Sequence, residues 1–197
     1  MALGQREAHG AAPVKIVVAG GFGAGKTTFV ATVSEIMPLR TEAMVTDASA
    51  GVDMIEATPD KRTTTVAMDF GRLTLADELV LYLFGTPGQR RFWFMWDDLV
   101  RGAAGAIVLA DCRRLQDCFA AVDFFEHRNL PFLVAVNEFD GASRYPAAEV
   151  RAALALPERV PVIAVDARDR TSATGALIAL SEYALARPVL SRSRGRR

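Results

Sequence analysis

Eight residues near the N-terminus, Gly20-Gly21-Phe22-Gly23-Ala24-Gly25-Lys26-Thr27, constrain this 197-residue chain more than any other feature. They fit G-x-x-x-x-G-K-[ST], a pattern that works only between a strand and a helix. Both flanks meet that condition. Val14–Ala19 (VKIVVA) is a β-branched run that ends in glycines, and Lys26–Ile36 reads as a helix stopped near Pro38. Glycines let successive backbone N–H groups turn inward around an anion, and the helix N-terminus adds favourable potential. Lys26 is expected to reach β- and γ-phosphates, and the Thr27 hydroxyl to hold Mg²⁺. Thr28 also falls within the pattern, but the position after Lys26 is the expected metal ligand.

The rest of the chain alternates apolar runs with amphipathic stretches. Thr65–Leu75 and Leu79–Phe84 read as two strands joined by the turn Ala76-Asp77-Glu78, and Ala106–Ala110, Phe132–Val136 and Val160–Val165 as three more. Helical segments fall at roughly 92–101, 115–129, 146–155 and 173–186. Fully apolar strands between helices predict an α/β fold: a six-stranded, mostly parallel sheet with one antiparallel edge hairpin and helices on both faces.

Composition narrows the function classes. A formal net charge of zero argues against a nucleic-acid binder, which needs a basic face for phosphates. No apolar run approaches a membrane span. Cys112 and Cys118 make neither a disulfide framework nor a metal site, which fits a reduced, cytoplasmic setting. Residues 1–13 read as a flexible leader, 14–187 as one domain and 188–197 as a basic flexible tail. That tail lacks a cysteine for prenylation, and its arginines suit either solvent or contact with an anionic membrane surface.

Four further segments fall at C-terminal strand ends or in the connecting loops, the edge at which open α/β sheets bind ligands. They are Thr64-Thr65-Val66-Ala67-Met68-Asp69-Phe70, Gly85-Thr86-Pro87-Gly88-Gln89, Asn137-Glu138-Phe139-Asp140 and Asp166-Ala167-Arg168. With the glycine-rich loop they resemble the Ras-like small GTPases, a P-loop NTPase family. Within it they resemble the prokaryotic MglA-like branch, and most closely the conservon (CvnD-type) GTP-binding proteins of actinobacteria. The resemblance spans residues 14–187 and implies GTP/GDP and Mg²⁺ as ligands. It implies that Thr65 contacts Mg²⁺ and the γ-phosphate from switch I, and that Gly88 gives its N–H to the γ-phosphate from switch II. Gln89 would orient the attacking water. Asn137 and Asp140 correspond to N-K-x-D. The Asp140 carboxylate can accept from guanine N1–H and the exocyclic amine together, a donor pair adenine lacks. Asp166, Ala167 and Arg168 correspond to S-A-K, with the Ala167 N–H meeting guanine O6 and Arg168 covering the base.

Several positions depart from the family pattern. Gly85 stands where D-x-x-G has its aspartate, which normally helps hold the metal. The reading assigns that task to Thr27 and water ahead of Asp69, which lies on a strand. Glu138 replaces the N-K-x-D lysine, whose stem normally braces the phosphate loop. Phe22 puts a bulky side chain beside the γ-phosphate, so slow hydrolysis and little response to an arginine from another protein are expected. Arg62, three positions before Thr65, is the candidate for an arginine supplied in cis; the competing reading is a solvated loop residue.

Arg90-Arg91-Phe92-Trp93-Phe94-Met95-Trp96 holds more aromatic surface than one helix face can bury, so part of it is expected at a protein interface. By resemblance the partner is a Roadblock/LC7-type regulatory protein contacting switch I and the Phe92–Trp96 region. The expected function is a GTP-binding switch with slow GTP hydrolysis. A nucleotide-binding pseudo-GTPase scaffold and, less favoured, an ATP-using P-loop kinase are the alternatives.

Overall fold

A computed structural model describes residues 12–37, 39–46, 63–76 and 79–187. The leader's first 11 residues, Arg62, Asp77, Glu78 and the basic tail from residue 188 lie outside the described residues. The strands are β1 (Ala12–Gly20), β2 (Leu39–Thr46), β3 (Thr63–Ala76), β4 (Leu79–Gly85), β5 (Ala103–Ala110), β6 (Phe132–Asn137) and β7 (Val162–Val165). The helices are α1 (Lys26–Val33), α2 (Trp96–Val100), α3 (Phe119–His127), α4 (Ala147–Ala153) and α5 (Arg170–Ala186). Short 3₁₀ segments at Arg90–Met95 and Cys112–Cys118 lead into α2 and α3.

The sheet order is β2-β3-β4-β1-β5-β6-β7. From β4 to β7 every neighbour pair is parallel, and β2, β3 and β4 pair antiparallel. The expected α/β class stands, with one strand more than the sequence pattern indicates. Leu39–Thr46 joins β3 in a ladder from Leu39↔Phe70 to Thr46↔Thr63, so the β3–β4 hairpin lies one strand in from the edge. With Arg40, Glu42 and three other non-aliphatic positions, β2 has no apolar run to announce it. An outermost strand can carry such residues because only one of its sides pairs.

Strand alternation sorts the interior into two layers. Ile16, Val18, Ile107, Leu109, Leu133 and Ala135 pack with Phe29, Val30 and Val33 of α1 and Leu177 and Leu180 of α5. Val17, Ala19, Ala106, Val108, Phe132 and Val134 face the other way, onto Trp96, Val122, Phe125 and Val150 of α2, α3 and α4. Both faces are dry, which is why the central strands are apolar throughout rather than alternating. The layers hold the C-terminal ends of β1, β4, β6 and β7 along one rim of the sheet. Among the described residues no helix is long and apolar enough to cross a membrane.

Candidate functional site

β1 delivers the chain at Gly20 into the glycine-rich loop, and the loop enters α1 through Gly25, whose φ of 102° is left-handed. A Cβ on Gly25 would also lie 2.5 Å from Asn137 Nδ2, so the position excludes other residues twice over. Lys26, only 8% exposed, donates from Nζ to the Gly20 carbonyl at 2.9 Å and the Gly21 carbonyl at 2.7 Å. Burial pulls its ammonium down to about 8, opposed by the negative charge of Asp69. Gly88 approaches the same group: a Cβ there would fall 2.8 Å from Lys26 Nζ and 3.0 Å from Phe22 Cα. A cavity of about 400 Å³ lies between the loop and start of α1 on one side and Asp69, Thr86, Gly88 and Gln89 on the other. Gly23, Thr27 and Thr28 line it as well. Residues expected to meet phosphates from two separate segments, the loop with the start of α1 and the Gly88 segment, therefore share one cavity with Asp69.

The carboxylate at this cavity comes from β3. Asp69 pairs across the ladder with Gly85, and its Oδ2 accepts from Thr27 Oγ1 at 2.6 Å. Although it lies on a strand, the Asp69 side chain points into the site. Gly85 makes that possible. A Cβ at Gly85 would sit 3.1 Å from Asp69 Cβ and 3.2 Å from Oδ2, so a side chain on β4 and the carboxylate on β3 compete for one space. Next to Gly85, the Thr86 hydroxyl is buried and finds no hydrogen-bond partner among the described residues. A buried orphan hydroxyl, a threonine and a carboxylate around one cavity form an all-oxygen donor set of the kind a hard divalent cation takes. The described residues contain no cluster of three or more His, Cys, Asp or Glu side chains able to hold a metal. Mg²⁺ needs none, because it keeps waters and takes the remaining oxygens from phosphates.

The other candidates are placed less uniformly. Gln89 is exposed, lines the cavity and caps the 3₁₀ segment, with its carbonyl accepting from Phe92 N. Phe22 is 65% exposed at the cavity mouth. Thr65 lies in the β2–β3 ladder opposite Met44, four residues along β3 from Asp69, or about 13 Å of strand. The residue of β3 that meets Thr27 is Asp69. In the aromatic segment Phe92 and Trp96 are buried, Trp96 stacking on Phe125 and meeting Phe124 edge-on, while Phe94 is 53% exposed. The expected division between core and surface is present.

At the far end of the rim, Asn137 is buried and ties three segments together. Its Nδ2 donates to the Ala24 carbonyl, and its Oδ1 accepts from Ala167 N at 3.0 Å. The amide expected to meet guanine O6 is thus engaged inside the protein. Arg168 forks onto Asp140 at 2.7 and 3.1 Å and also donates to both oxygens of Asp166. These bonds hold the Asp166 carboxyl at about 2 and Asp140 below the usual carboxylate range. The Arg168 guanidinium presents Asp140 with a planar pair of N–H donors, the same pattern as a guanine edge. Glu138 turns outward and pairs with Arg144 at 2.8 Å.

Residues 18–187 match the model of a family described as conserved hypothetical ATP-binding proteins. The chain belongs to this family. A second comparison finds an uncharacterized protein of Methanocaldococcus jannaschii, 30% identical over 129 residues that make up 64% of this chain and 71% of that one. Among solved structures, the G domain of the T. maritima FeoB iron transporter superposes with a TM-score of 0.59 at 18% identity, covering 88% of this chain and 98% of that one. The Methanococcus jannaschii FeoB G domain gives 0.58 at 13% identity with the same coverage. The T. maritima FeoB cytosolic domain in a GDP form gives 0.65 at 17%, covering 91% of this chain and 66% of that one. The fold is that of a P-loop GTPase G domain. These likenesses do not separate an MglA-like or conservon protein from other P-loop GTPases.

Three residues of this family member carry functional geometry that sequence reasoning missed or ranked low. Asp69 had a signal, since it lies in the same segment as Thr65 and the D-x-x-G aspartate is absent. Thr86 had only its place inside that motif. Arg114, whose Nη2 donates to the Phe22 carbonyl at 2.6 Å, had none, because the contact joins residues 92 positions apart.

Proposed function

We propose that the protein binds guanine nucleotides with Mg²⁺ and hydrolyses GTP slowly, using the γ-phosphate to order two switch segments. The observation that carries this reading is the cavity bounded by Lys26, Thr27, Asp69 and Gly88, with Asn137 linking it to the Asp140 end of the rim. Inward-facing loop amides and Lys26 bind the β- and γ-phosphates. Thr27, with Asp69 and Thr86 acting on its waters, would hold Mg²⁺, which when bound neutralises charge developing on the phosphate oxygens. Gln89 aligns the attacking water. Its exposed position and the Phe22 ring at the cavity mouth both fit a low rate. Guanine takes the Asp140 acceptor pair in place of Arg168, which then lies over the base.

Loss of the γ-phosphate releases Gly88 and the segment that follows it, and with it the exposed Phe94. That surface suits a Roadblock/LC7-type regulator, in keeping with an MglA-like or conservon-type switch, and the arginine tail gives a route to a membrane surface. The family's description favours a second reading, in which ATP is the ligand. Displacement of fluorescent GDP from the purified protein decides between them. We expect GTP and GDP to compete at least a hundredfold better than ATP, through the Asp140 donor-pair match. Equal competition by ATP would overturn the guanine assignment. Phosphate release at saturating GTP then separates a slow enzyme from a pseudo-GTPase.

A further inference from the structure

A loop that aims its N–H groups inward turns its carbonyls outward, where each takes a donor from the protein or from water. In residues 20–24 the donors come from different parts of the fold. Gly20 and Gly21 receive Lys26, and Ala24 receives Asn137. The carbonyl between them, on Phe22, receives Arg114 Nη2 at 2.6 Å. Arg114 belongs to the 3₁₀ segment between β5 and α3, and the helical backbone breaks at this residue, with φ −146° and ψ 55°. The segment lies tight on the loop. A Cβ on Gly21 would fall 2.5 Å from Asp117 Cβ, and one on Gly23 would fall 3.3 Å from Arg114 Nη2. Asp117 stands 3.7 Å from Arg114 Nε and steadies the guanidinium.

We propose that Arg114 is a positioning residue that braces the phosphate loop from the β5–α3 side. This rests on the reading that residues 20–27 bind nucleotide phosphates. By fixing the Phe22 carbonyl outward, Arg114 holds the Gly23 amide toward the phosphates. A charged donor to a carbonyl is among the stronger hydrogen bonds, and its loss leaves a mobile peptide in the middle of the anion site. The effect acts on the phosphates as a group. It falls equally on di- and triphosphate, and on affinity rather than on the chemical step.

The test uses the full chain and measures GDP and GTP affinity together with the single-turnover rate at saturating GTP. Arg114→Ala is expected to bind both nucleotides about tenfold to a hundredfold more weakly, with the saturated rate within about twofold of the parent. Arg114→Lys recovers most of the affinity. Parent-like affinity in Arg114→Ala overturns the proposal. So does a fall in saturated rate at unchanged affinity, which would mark a group acting on the transition state. Melting curves check folding, and Arg114→Gln takes the place of the alanine variant if that variant melts early. A parent protein that binds neither nucleotide removes the phosphate-site reading itself, a result distinct from any of these.

Discussion

Lys26 is surrounded by loop carbonyls, and its ammonium is held near 8 because burial penalises the charge more than Asp69 restores it. The sign follows from comparison with the unfolded chain, where the same group titrates at 10.5. Between about 8 and 10.5 the unfolded chain holds more protons, so the nucleotide-free protein gains stability as pH rises through that window; below about 8 the full penalty remains. A bound polyphosphate reverses the balance by favouring the ammonium. Nucleotide binding at pH 8.5 is therefore expected to take up a proton, and at pH 6.5 it is not. Calorimetric titrations in two buffers of different ionisation enthalpy measure this directly; identical apparent enthalpies at pH 8.5 would show that the Lys26 ammonium is already fully protonated in the nucleotide-free protein. The motif placed Lys26 at the site from sequence alone. Its weakened charge was not legible there, because burial depends on Gly20, Gly21 and Gly88 closing around the ammonium.

At the scale of the element, the Asp69–Gly85 pair shows how a ladder can move a functional group. Directly opposed residues on one face of an antiparallel pair share a site, so a carboxylate from either strand reaches nearly the same point. Asp69→Ala is expected to raise the Mg²⁺ concentration needed to slow GDP release by about tenfold to a hundredfold. The double variant Asp69→Gly with Gly85→Asp should recover most of that loss by placing the carboxylate on β4. Gly85→Asp alone should not improve on the parent, since the two side chains would crowd within about 3 Å. Nucleotide release followed during a Mg²⁺ titration reads all three. The elements themselves were largely visible in the sequence. Apolar runs marked β1, β5, β6 and β7, and a 3.6-residue pattern marked α5. The run 92–101, which reads as one helix in the sequence, forms a 3₁₀ segment followed by the short α2, with Phe92 and Trp96 buried and Phe94 exposed. β2 stayed hidden because its partner, not its own composition, makes it a strand.

In the whole molecule, two apolar layers on either side of the sheet hold the rim in shape. Phe29 anchors one layer and Phe125 the other, and both are fully buried. Phe29→Ala and Phe125→Ala are each expected to cost about 3–5 kcal/mol in urea unfolding. Phe29 sits on α1, two residues from Thr27, so its loss should also weaken nucleotide binding; Phe125, on α3, does not line the cavity and should affect stability alone. Equal effects on binding would mean that the rim is not locally supported. The sequence by itself determined the phosphate loop, the parallel α/β class and the chain order of the motifs, because these depend on short-range pattern and backbone chemistry. Only the tertiary structure decided which strand supplies the carboxylate, that Arg168 forks onto Asp140, and that Arg114 fastens the loop. Those contacts join residues 28 to 92 positions apart, and their existence depends on strand register and on the space that glycines leave, neither of which any local pattern encodes.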